Sequence, residues 1–390
     1  MPTHNGLPCC VCSDLWLPEF ELTLSEYGIR VRFTQLDGTV KESAGTHAGG
    51  AFDLVVTEAG PRTLAEAYKL VVKVARQMGA DATWERPFNW NGRNGIRHIH
   101  GLLSGCPHLA GQARSQQADV RAGRNGLANR GRDTGPRPLS GRTWQQGIAW
   151  AKKRRKPLRI LTWNVALITK RPKLDYRRKK IRAYIRKWKV DVLALQEAPS
   201  SGDARGLWPL LAEIDLTKRV GSHARYFVFR SGTQVDAWKS ILVDGKRATV
   251  AVATIPGHRK RGYVNCHPIS GAGEADEREA WADKVIPQAL AFCARNGVAA
   301  ADVIWMGDFN GAEFANRAKR HDIVRARTYA RSRSTLYRSY NAWGKKTNQA
   351  GGHFDYVLVH GSLKGAITKA KTFFTPKASD HNPAFVEIKE

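Results

Sequence analysis

The sequence predicts an α/β (α+β) protein of two domains joined by a basic linker. Its 390 residues exceed the roughly 100–200 residues of a typical domain. From Leu158 onward, short apolar runs alternate with helical stretches, which is typical of a layered α/β domain. We therefore predict a smaller α+β domain at residues 1–108, a linker at 109–157 and a larger domain at 158–390.

The first domain is predicted from an alternating segment, Ile29 to Phe33, and from a helix-like run, Leu64 to Met78. Between Ala113 and Lys156, twelve Lys and Arg residues stand against two acids, and apolar residues become scarce. This composition predicts a flexible linker. The linker ends in a basic run that either binds phosphates or is a solvated tether, formed by Lys152, Lys153, Arg154, Arg155 and Lys156.

The charge of the chain favours a polyanionic partner. It has 63 Lys and Arg residues against 34 Asp and Glu residues, a net charge of +29, which suits nucleic acid, anionic lipid headgroups or anionic wall polymers. Between Lys170 and Lys189, eleven basic residues accompany one acid. Such density suits a long polyanion that releases counterions on binding; a solvated helix face is the alternative. The residues expected to contact nucleic acid here are Arg177, Arg178, Lys179 and Lys180.

We expect neither a membrane span nor a conventional signal peptide. The sequence has no long apolar run and no charged-then-apolar leader after Met1, so a soluble protein is predicted. Among its six cysteines, Cys9 and Cys12 have the two-residue gap of a zinc-binding pair, but no second pair stands at metal-site spacing. Reduced thiols are therefore expected rather than a disulfide framework.

Polar residues follow the apolar runs of the second domain. Each of them alone fits a turn or a helix start. Together they are carboxylates, amides and imidazoles at strand ends, where a layered α/β fold exposes side chains to a shared cleft. The candidate site residues are Asn164, Glu197, His267, Asp308, Asn310, Asp355, Asp380 and His381.

These residues lie in motifs that occur in a family order. The motifs are Trp163-Asn164, Gln196-Glu197, Gly307-Asp308-Phe309-Asn310, Asp355-Tyr356 and Ser379-Asp380-His381. Over about residues 158 to 390 the chain resembles the endonuclease/exonuclease/phosphatase family. The resemblance implies a four-layer αββα sandwich of two mixed sheets with helices outside, and a metal-dependent phosphodiesterase activity.

The resemblance also implies roles for the metal and the attacking water. Glu197 would bind Mg²⁺ or Mn²⁺ with Asn164 and Asp380, which agrees with the preference of these ions for oxygen ligands. Asp308 would orient or deprotonate the attacking water, and Asn310 would contact the phosphate. A divalent cation suits this chemistry because the phosphodiester oxygens are negatively charged.

Three further residues complete the set that the resemblance implies. His381 would hydrogen-bond the scissile phosphate or assist the nucleophile. Asp355 would hold an imidazole in the correct tautomer, a common role of carboxylates beside catalytic histidines. His267 would protonate the leaving oxygen. The leading hypothesis is a nuclease that acts on nucleic acid, with DNA favoured; endonucleolytic and exonucleolytic cleavage both fit the motifs.

A second set of metal-ligand residues lies in the first domain. His47 and Asp53 stand in a Gly-rich segment, and His98 and His100 follow downstream. Over about residues 40 to 108 this arrangement resembles zinc carboxypeptidases that cut D-Ala-D-Ala peptides and the related hedgehog-type domains. The resemblance implies Zn²⁺ bound by His47, Asp53 and His100 and peptidoglycan as substrate. Paired with a nuclease, such a domain would suit a bacteriophage, in the host cytoplasm or the virion, or a secreted bacterial toxin.

Other functions remain open alternatives. The first domain could be the active part, as a cell-wall peptidase anchored by its basic tail. The second domain could be a phosphatase or a lipid phosphodiesterase of the same family. A non-enzymatic virion or nucleoid protein that binds DNA by charge is the third alternative.

Overall fold

The computed structural model of the protein describes residues 2–36, 49–86, 97–126, 131–165, 179, 182–198, 207–222, 225–268, 274–310, 313–325, 355–372 and 383–389. The chain folds as two compact units, residues 1–156 with 256–258 and residues 157–255 with 259–390. Within the described ranges, no helix combines the length and the apolar character needed to span a bilayer.

The first unit is an α+β domain that contains a two-stranded and a four-stranded antiparallel sheet. Its strands are β1 (Thr3–His4), β2 (Leu7–Pro8), β3 (Arg30–Gln35), β4 (Ala51–Glu58), β5 (Ala82–Arg86) and β6 (His98–Leu102), and its helices are α1 (Val11–Ser25), α2 (Leu64–Gln77), α3 (Gly111–Arg121) and α4 (Trp144–Arg154). The four-stranded sheet has the order β3-β4-β6-β5. Helix α2 begins at a capping box between Thr63 and Glu66, which satisfies two backbone N–H groups at the helix start.

The predicted linker is part of the folded first unit, so the expectation of a flexible segment at 109–157 is wrong for its described residues. Helices α3 and α4 lie in this segment, and Ala113, Val120 and Ala151 are buried in the core of the unit. Helix α4 begins at a capping box formed by Thr143 and Gln146. The segment folds despite its polar average composition, because its few apolar residues lie on the helix faces that contact the core.

A buried ion pair fastens this segment to helix α2. The guanidinium of Arg76 donates two hydrogen bonds to the Asp133 carboxylate, at 2.9 and 3.0 Å, and each side chain is 2% exposed. Burial alone would raise the pKa of Asp133, but hydrogen bonds from Arg76 and the Gly135 backbone N–H, together with the charges of Arg76 and Arg137, outweigh it and lower that pKa. The contribution of the pair is therefore present at neutral pH and is lost as the pH falls through the lowered pKa.

The second unit contains two six-stranded mixed sheets. The first has the order β17-β18-β7-β8-β10-β9 and the second β11-β12-β13-β14-β16-β15. Strands β7 and β8 are parallel, as are β13 and β14, and the other described neighbours are antiparallel. The strands are β7 (Leu158–Asn164), β8 (Val192–Gln196), β9 (Leu216–Ser222), β10 (Arg225–Arg230), β11 (Gln234–Val243), β12 (Lys246–Thr254), β13 (Lys260–Cys266), β14 (Val303–Asp308), β15 (Ile323–Arg325), β16 (Asp355–His360), β17 (Ile367–Thr372) and β18 (Ala384–Ile388).

The sheets pack face to face with helices outside. The helices are α5 (residues 182–188), α6 (Leu207–Ala212), α7 (Ala275–Arg295) and α8 (Glu313–Ala318). Side chains alternate along each strand, so Ile160 and Met306 enter the core between the sheets. Trp163 packs in the core that contains Ile185 of α5, and Trp305 in the core that contains Trp281 of α7. This order of helix, sheet, sheet and helix confirms the predicted fold class.

We predict that Asp133→Ala lowers the free energy of unfolding by about 3–5 kcal/mol, because the buried Arg76 would lose its carboxylate partner. Urea denaturation followed by circular dichroism measures the change. The control is Glu58→Ala, which removes the exposed partner of Arg30 and should cost less than about 1 kcal/mol. Equal, small effects of the two substitutions would contradict the structural role of this segment.

Candidate active site

The candidate site lies at the carboxyl ends of four strands of the second unit. These strands are the parallel pair β7 and β8 in one sheet and the parallel pair β13 and β14 in the other. Asn164 ends β7 and Gln196 ends β8, and because these strands are parallel their carboxyl ends share one edge. In the other sheet β13 ends at Cys266 and β14 ends at Asp308. The sheets pack face to face, so the two sets of strand ends meet.

The amide of Asn164 joins two carboxylates at this meeting point. Its Nδ2 atom donates to Glu197 Oε1 and to Asp308 Oδ2, both at 2.9 Å. The imidazole of His267 lies against the same pair, with Nε2 3.6 Å from Glu197 Oε1 and 3.6 Å from Asp308 Oδ2. Asp308 is buried, whereas 34% of the Glu197 side chain is exposed. The site therefore has one enclosed and one accessible carboxylate.

Backbone conformation contributes to this arrangement. Glu197 and Asn310 have φ angles of 53° and 52°, a left-handed conformation that is uncommon for residues other than glycine and often occurs at functional sites. The Asn310 backbone N–H donates to Asp308 Oδ1 at 3.0 Å, and Asn310 Nδ2 donates to the Pro268 carbonyl at 3.0 Å. Asn310 thus links the ends of β13 and β14.

Gly307 allows β14 to approach β13 closely. Its φ is 151°, and a Cβ atom at this position would lie 2.0 Å from the Cys266 carbonyl oxygen. Any side chain here would therefore push apart the two strands that position His267 and Asp308.

Two buried amide side chains, Gln196 and Asn265, hydrogen-bond to each other beside the site. The sequence motifs included Gln196 but not Asn265. Gln196 Nε2 donates to Asn265 Oδ1 at 2.6 Å and to Thr162 Oγ1 at 3.1 Å. Asn265 Nδ2 donates in turn to the carbonyls of Leu195 and Tyr226. The signal for Asn265 was an amide inside an apolar strand, since a buried amide needs partners.

Arg225 and Cys266 complete the surroundings of His267. Arg225 Nη2 donates to the His267 carbonyl at 3.1 Å, and burial lowers the Arg225 pKa. Burial also raises the pKa of the Cys266 thiol, so this cysteine is neutral at physiological pH. A neutral, buried thiol is not a nucleophile.

The donor set fits a hard divalent cation. Mg²⁺ keeps several waters and binds through one or two carboxylates, and Glu197 and Asp308 supply carboxylate oxygens near one amide. The accessible Glu197 carboxylate leaves room for water and substrate oxygens. The buried amides and carbonyls nearby are used in hydrogen bonds with one another and so hold the site together.

Three further predicted site residues are Asp355, Asp380 and His381. Asp355 begins β16 directly opposite Asp308 in the sheet register, so it lies at the same edge. Asp380 and His381 lie outside the described residues.

In the first unit, Asp53 and His100 are register partners on β4 and β6. His100 Nδ1 lies 2.8 Å from Asp53 Oδ1, and His98 Nε2 lies 4.0 Å from Asp53 Oδ2. Asp53 and His100 are both buried. The third expected zinc ligand, His47, lies outside the described residues.

The basic run at the end of the first unit is only partly available to a ligand. Lys152, Lys153, Arg154 and Lys156 are exposed, and Lys152 Nζ lies 3.6 Å from Glu19. Arg155 is buried and forms an ion pair with Glu19, so its prediction as a nucleic-acid contact is wrong. The sequence could not reveal this because Glu19 is far away in the chain.

The basic segment before β8 is helical where it is described. Ile185 of α5 is buried in the core, whereas Arg186 and Lys187 face solvent. Lys179 and Lys189 are also exposed. Arg177, Arg178 and Lys180 lie outside the described residues.

The second unit belongs to the class of four-layer αββα sandwiches with two carboxylates at the strand ends. The model of the Endonuclease/Exonuclease/phosphatase family matches residues 161–381, more than half of the chain. The chain belongs to this family, whose members are phosphodiesterases or phosphatases, and the family predicted from the motifs is confirmed.

Similar solved structures include the human Nocturnin catalytic domain with bound sulfate anion, at 17% identity and a TM-score of 0.48, covering 60% of this chain and 94% of that chain. Truncated Caenorhabditis elegans TDP2 is 18% identical with a TM-score of 0.47, covering 60% and 98%. Sphingomyelinase C from Streptomyces griseocarneus is 17% identical with a TM-score of 0.44, covering 60% and 99%. No curated protein sequence matches the chain.

Proposed function

We propose that the protein is a Mg²⁺-dependent nuclease that hydrolyses phosphodiester bonds of nucleic acid, with DNA as the favoured substrate. The observation that carries the proposal is the Asn164 amide shared by Glu197 and Asp308 in a chain with a net charge of +29. Mn²⁺ would serve in place of Mg²⁺ because both ions prefer oxygen ligands.

Glu197, with Asn164 and Asp380, would hold the cation. When bound, the cation neutralises the phosphate charge and stabilises the leaving oxyanion. Asn164 keeps the Glu197 carboxylate oriented, because its amide donates to that carboxylate and to Asp308 at once.

The proton transfers are assigned to Asp308 and His267. Asp308 accepts the proton of the attacking water as the new P–O bond forms. As the bond to the leaving oxygen breaks, a protonated His267 donates a proton to that oxygen. His267 Nε2 lies 3.6 Å from both carboxylates, so its imidazole stands in the same site. Asn310 and His381 would contact the phosphate, and Asp355 would orient an imidazole.

The exposed charges favour a long polyanion over a small phosphate ester. Lys179, Arg186, Lys187 and Lys189 are all exposed on the second unit. A nucleic acid carries closely spaced charges and can release counterions at several such residues at once. A monomeric phosphate ester has no comparable extended row of charges and counterions.

We predict that Glu197→Gln slows plasmid nicking by several orders of magnitude, because the neutral amide would lose the charge that binds the cation at the reacting phosphate. Substrate affinity should change little. EDTA should abolish nicking by the wild-type protein, and Mg²⁺ should restore it. The matched control is Glu277→Gln, at an exposed position on α7, which should retain full activity.

The same assay separates the alternatives. Wild-type activity in Glu197→Gln would refute the metal assignment. Hydrolysis of inositol phosphates or sphingomyelin without DNA cleavage would assign the site to the phosphatase or lipid branch. Binding of DNA without any metal-dependent cleavage would favour the non-enzymatic alternative.

We predict that Lys153→Ala/Lys156→Ala weakens DNA affinity and reduces its salt slope by about 1–2 units, since each phosphate contact contributes about 0.9. The measurement is the DNA dissociation constant across a salt series. The turnover rate at saturation should stay the same. Lys153→Arg/Lys156→Arg keeps both charges and is the control. An unchanged slope in the alanine variant would show that the run is a solvated tether.

The first unit has a second candidate function, a Zn²⁺-dependent peptidase acting on peptidoglycan. The buried contact of His100 with Asp53 favours it, because it brings together two of the three expected zinc ligands. We predict that clearing of cell walls in a zymogram is lost in His100→Ala, whereas His360→Ala, in the second unit, has no effect. Absence of clearing by the zinc-loaded wild-type protein would refute this function.

A further inference from the structure

Three cysteine sulfur atoms converge in the first unit. The Sγ atoms of Cys10, Cys12 and Cys106 all lie within 4.8 Å of one another. Cys10 Sγ and Cys106 Sγ are 3.7 Å apart, although the residues are 96 positions apart in the chain. Cys12 and Cys106 are buried and Cys10 is half-buried. No role in the proposed nuclease or peptidase chemistry uses these thiols.

The spacing matches metal thiolate coordination. Zn²⁺ bound tetrahedrally by thiolates at about 2.3 Å places neighbouring sulfur atoms about 3.8 Å apart, close to the 3.7 Å between Cys10 and Cys106. A disulfide would require a sulfur separation of about 2.05 Å. The cluster thus has the separation expected between two ligands of one ion.

The local structure suits a thiolate at Cys10. Cys10 is the residue before the first turn of α1, and Cys12 lies within that turn. The N–H groups at a helix start carry partial positive charge, which stabilises a nearby thiolate. The Ser13 hydroxyl lies 3.5 Å from Cys10 Sγ and can donate to it.

Gly50 makes room for the third sulfur. A Cβ atom at this position would lie 2.8 Å from both Cβ and Sγ of Cys106. The segment before β4 therefore has to approach Cys106 through a residue without a side chain. This close packing holds the Cys106 thiol on the side where Cys10 and Cys12 stand.

We propose that Cys10, Cys12 and Cys106 bind one zinc ion through three thiolates. Among the described residues this group has three members. The fourth ligand of the tetrahedral ion would therefore be a group other than these three cysteines. The ion would tie the start of α1 to the turn after β6 and so stabilise the first unit, because metal binding to the folded state adds to its stability.

The proposed ligand set differs from the one suggested by sequence spacing. Cys9 and Cys12 have the gap of a zinc-binding pair, but the Cys9 sulfur is not in the cluster. Cys10 takes its place, and the distant Cys106 supplies the ligand that no sequence spacing indicated.

The test is a titration of the reduced, metal-free full-length protein with Co²⁺. We expect one equivalent to produce an intense thiolate-to-cobalt absorption band in the near ultraviolet that Zn²⁺ then removes. This band distinguishes the cysteine cluster from the Asp53 and His100 site, which would bind Co²⁺ without thiolates. Cys106→Ser should weaken binding by more than about 100-fold, since even the loss of an outer-shell partner costs about 10–100-fold.

Cys9→Ser, in the same segment but outside the cluster, is the matched control and should keep the band. If Cys106→Ser does not fold, Cys10→Ser at the half-buried position gives the same readout. Absence of the band in the wild-type protein would overturn the proposal, as would an unchanged band in folded Cys106→Ser or Cys10→Ser. A disulfide between Cys10 and Cys106 in the peptide map of the purified protein would also overturn it.

Discussion

The packing of two sheets face to face is the constraint on which the candidate active site depends. Ile160 and Met306, on different sheets, share the core between them. At the edge of this core, Asn164 of one sheet donates to Asp308 of the other, and Gln196 donates to Asn265 in the same way. These buried cross-sheet hydrogen bonds have no competition from water, so they hold the strand ends in one relative position.

Holding the strand ends in that position costs free energy at individual residues. Glu197 and Asn310 adopt left-handed backbone conformations, which cost free energy that the surrounding packing must offset. Asp308 is buried beside a histidine and an amide, where an unsolvated charge needs such neighbours. Both features place polar groups where the proposed substrate phosphate and cation would bind.

The charge of the chain divides into two structural classes. Arg76, Arg155, Arg261 and Arg278 are buried and form ion pairs within their own units. Lys179, Arg186, Lys187 and Lys189, on and beside α5, are exposed instead. A count of charges cannot distinguish buried from exposed basic residues, because a guanidinium is buried only where a distant carboxylate and carbonyls accept its hydrogen bonds.

The sequence by itself determined the fold class and the motif residues Asn164, Glu197 and Asp308, because strand periodicity and the polar residue that ends a strand are local properties. Only the tertiary structure decided that Asn265 supports Gln196, that Arg155 is buried against Glu19, and that Cys106 joins Cys10 and Cys12. It also decided that the polar segment after residue 109 folds. Each of these outcomes depends on contacts between residues far apart in the chain, and such contacts form only when distant elements pack together.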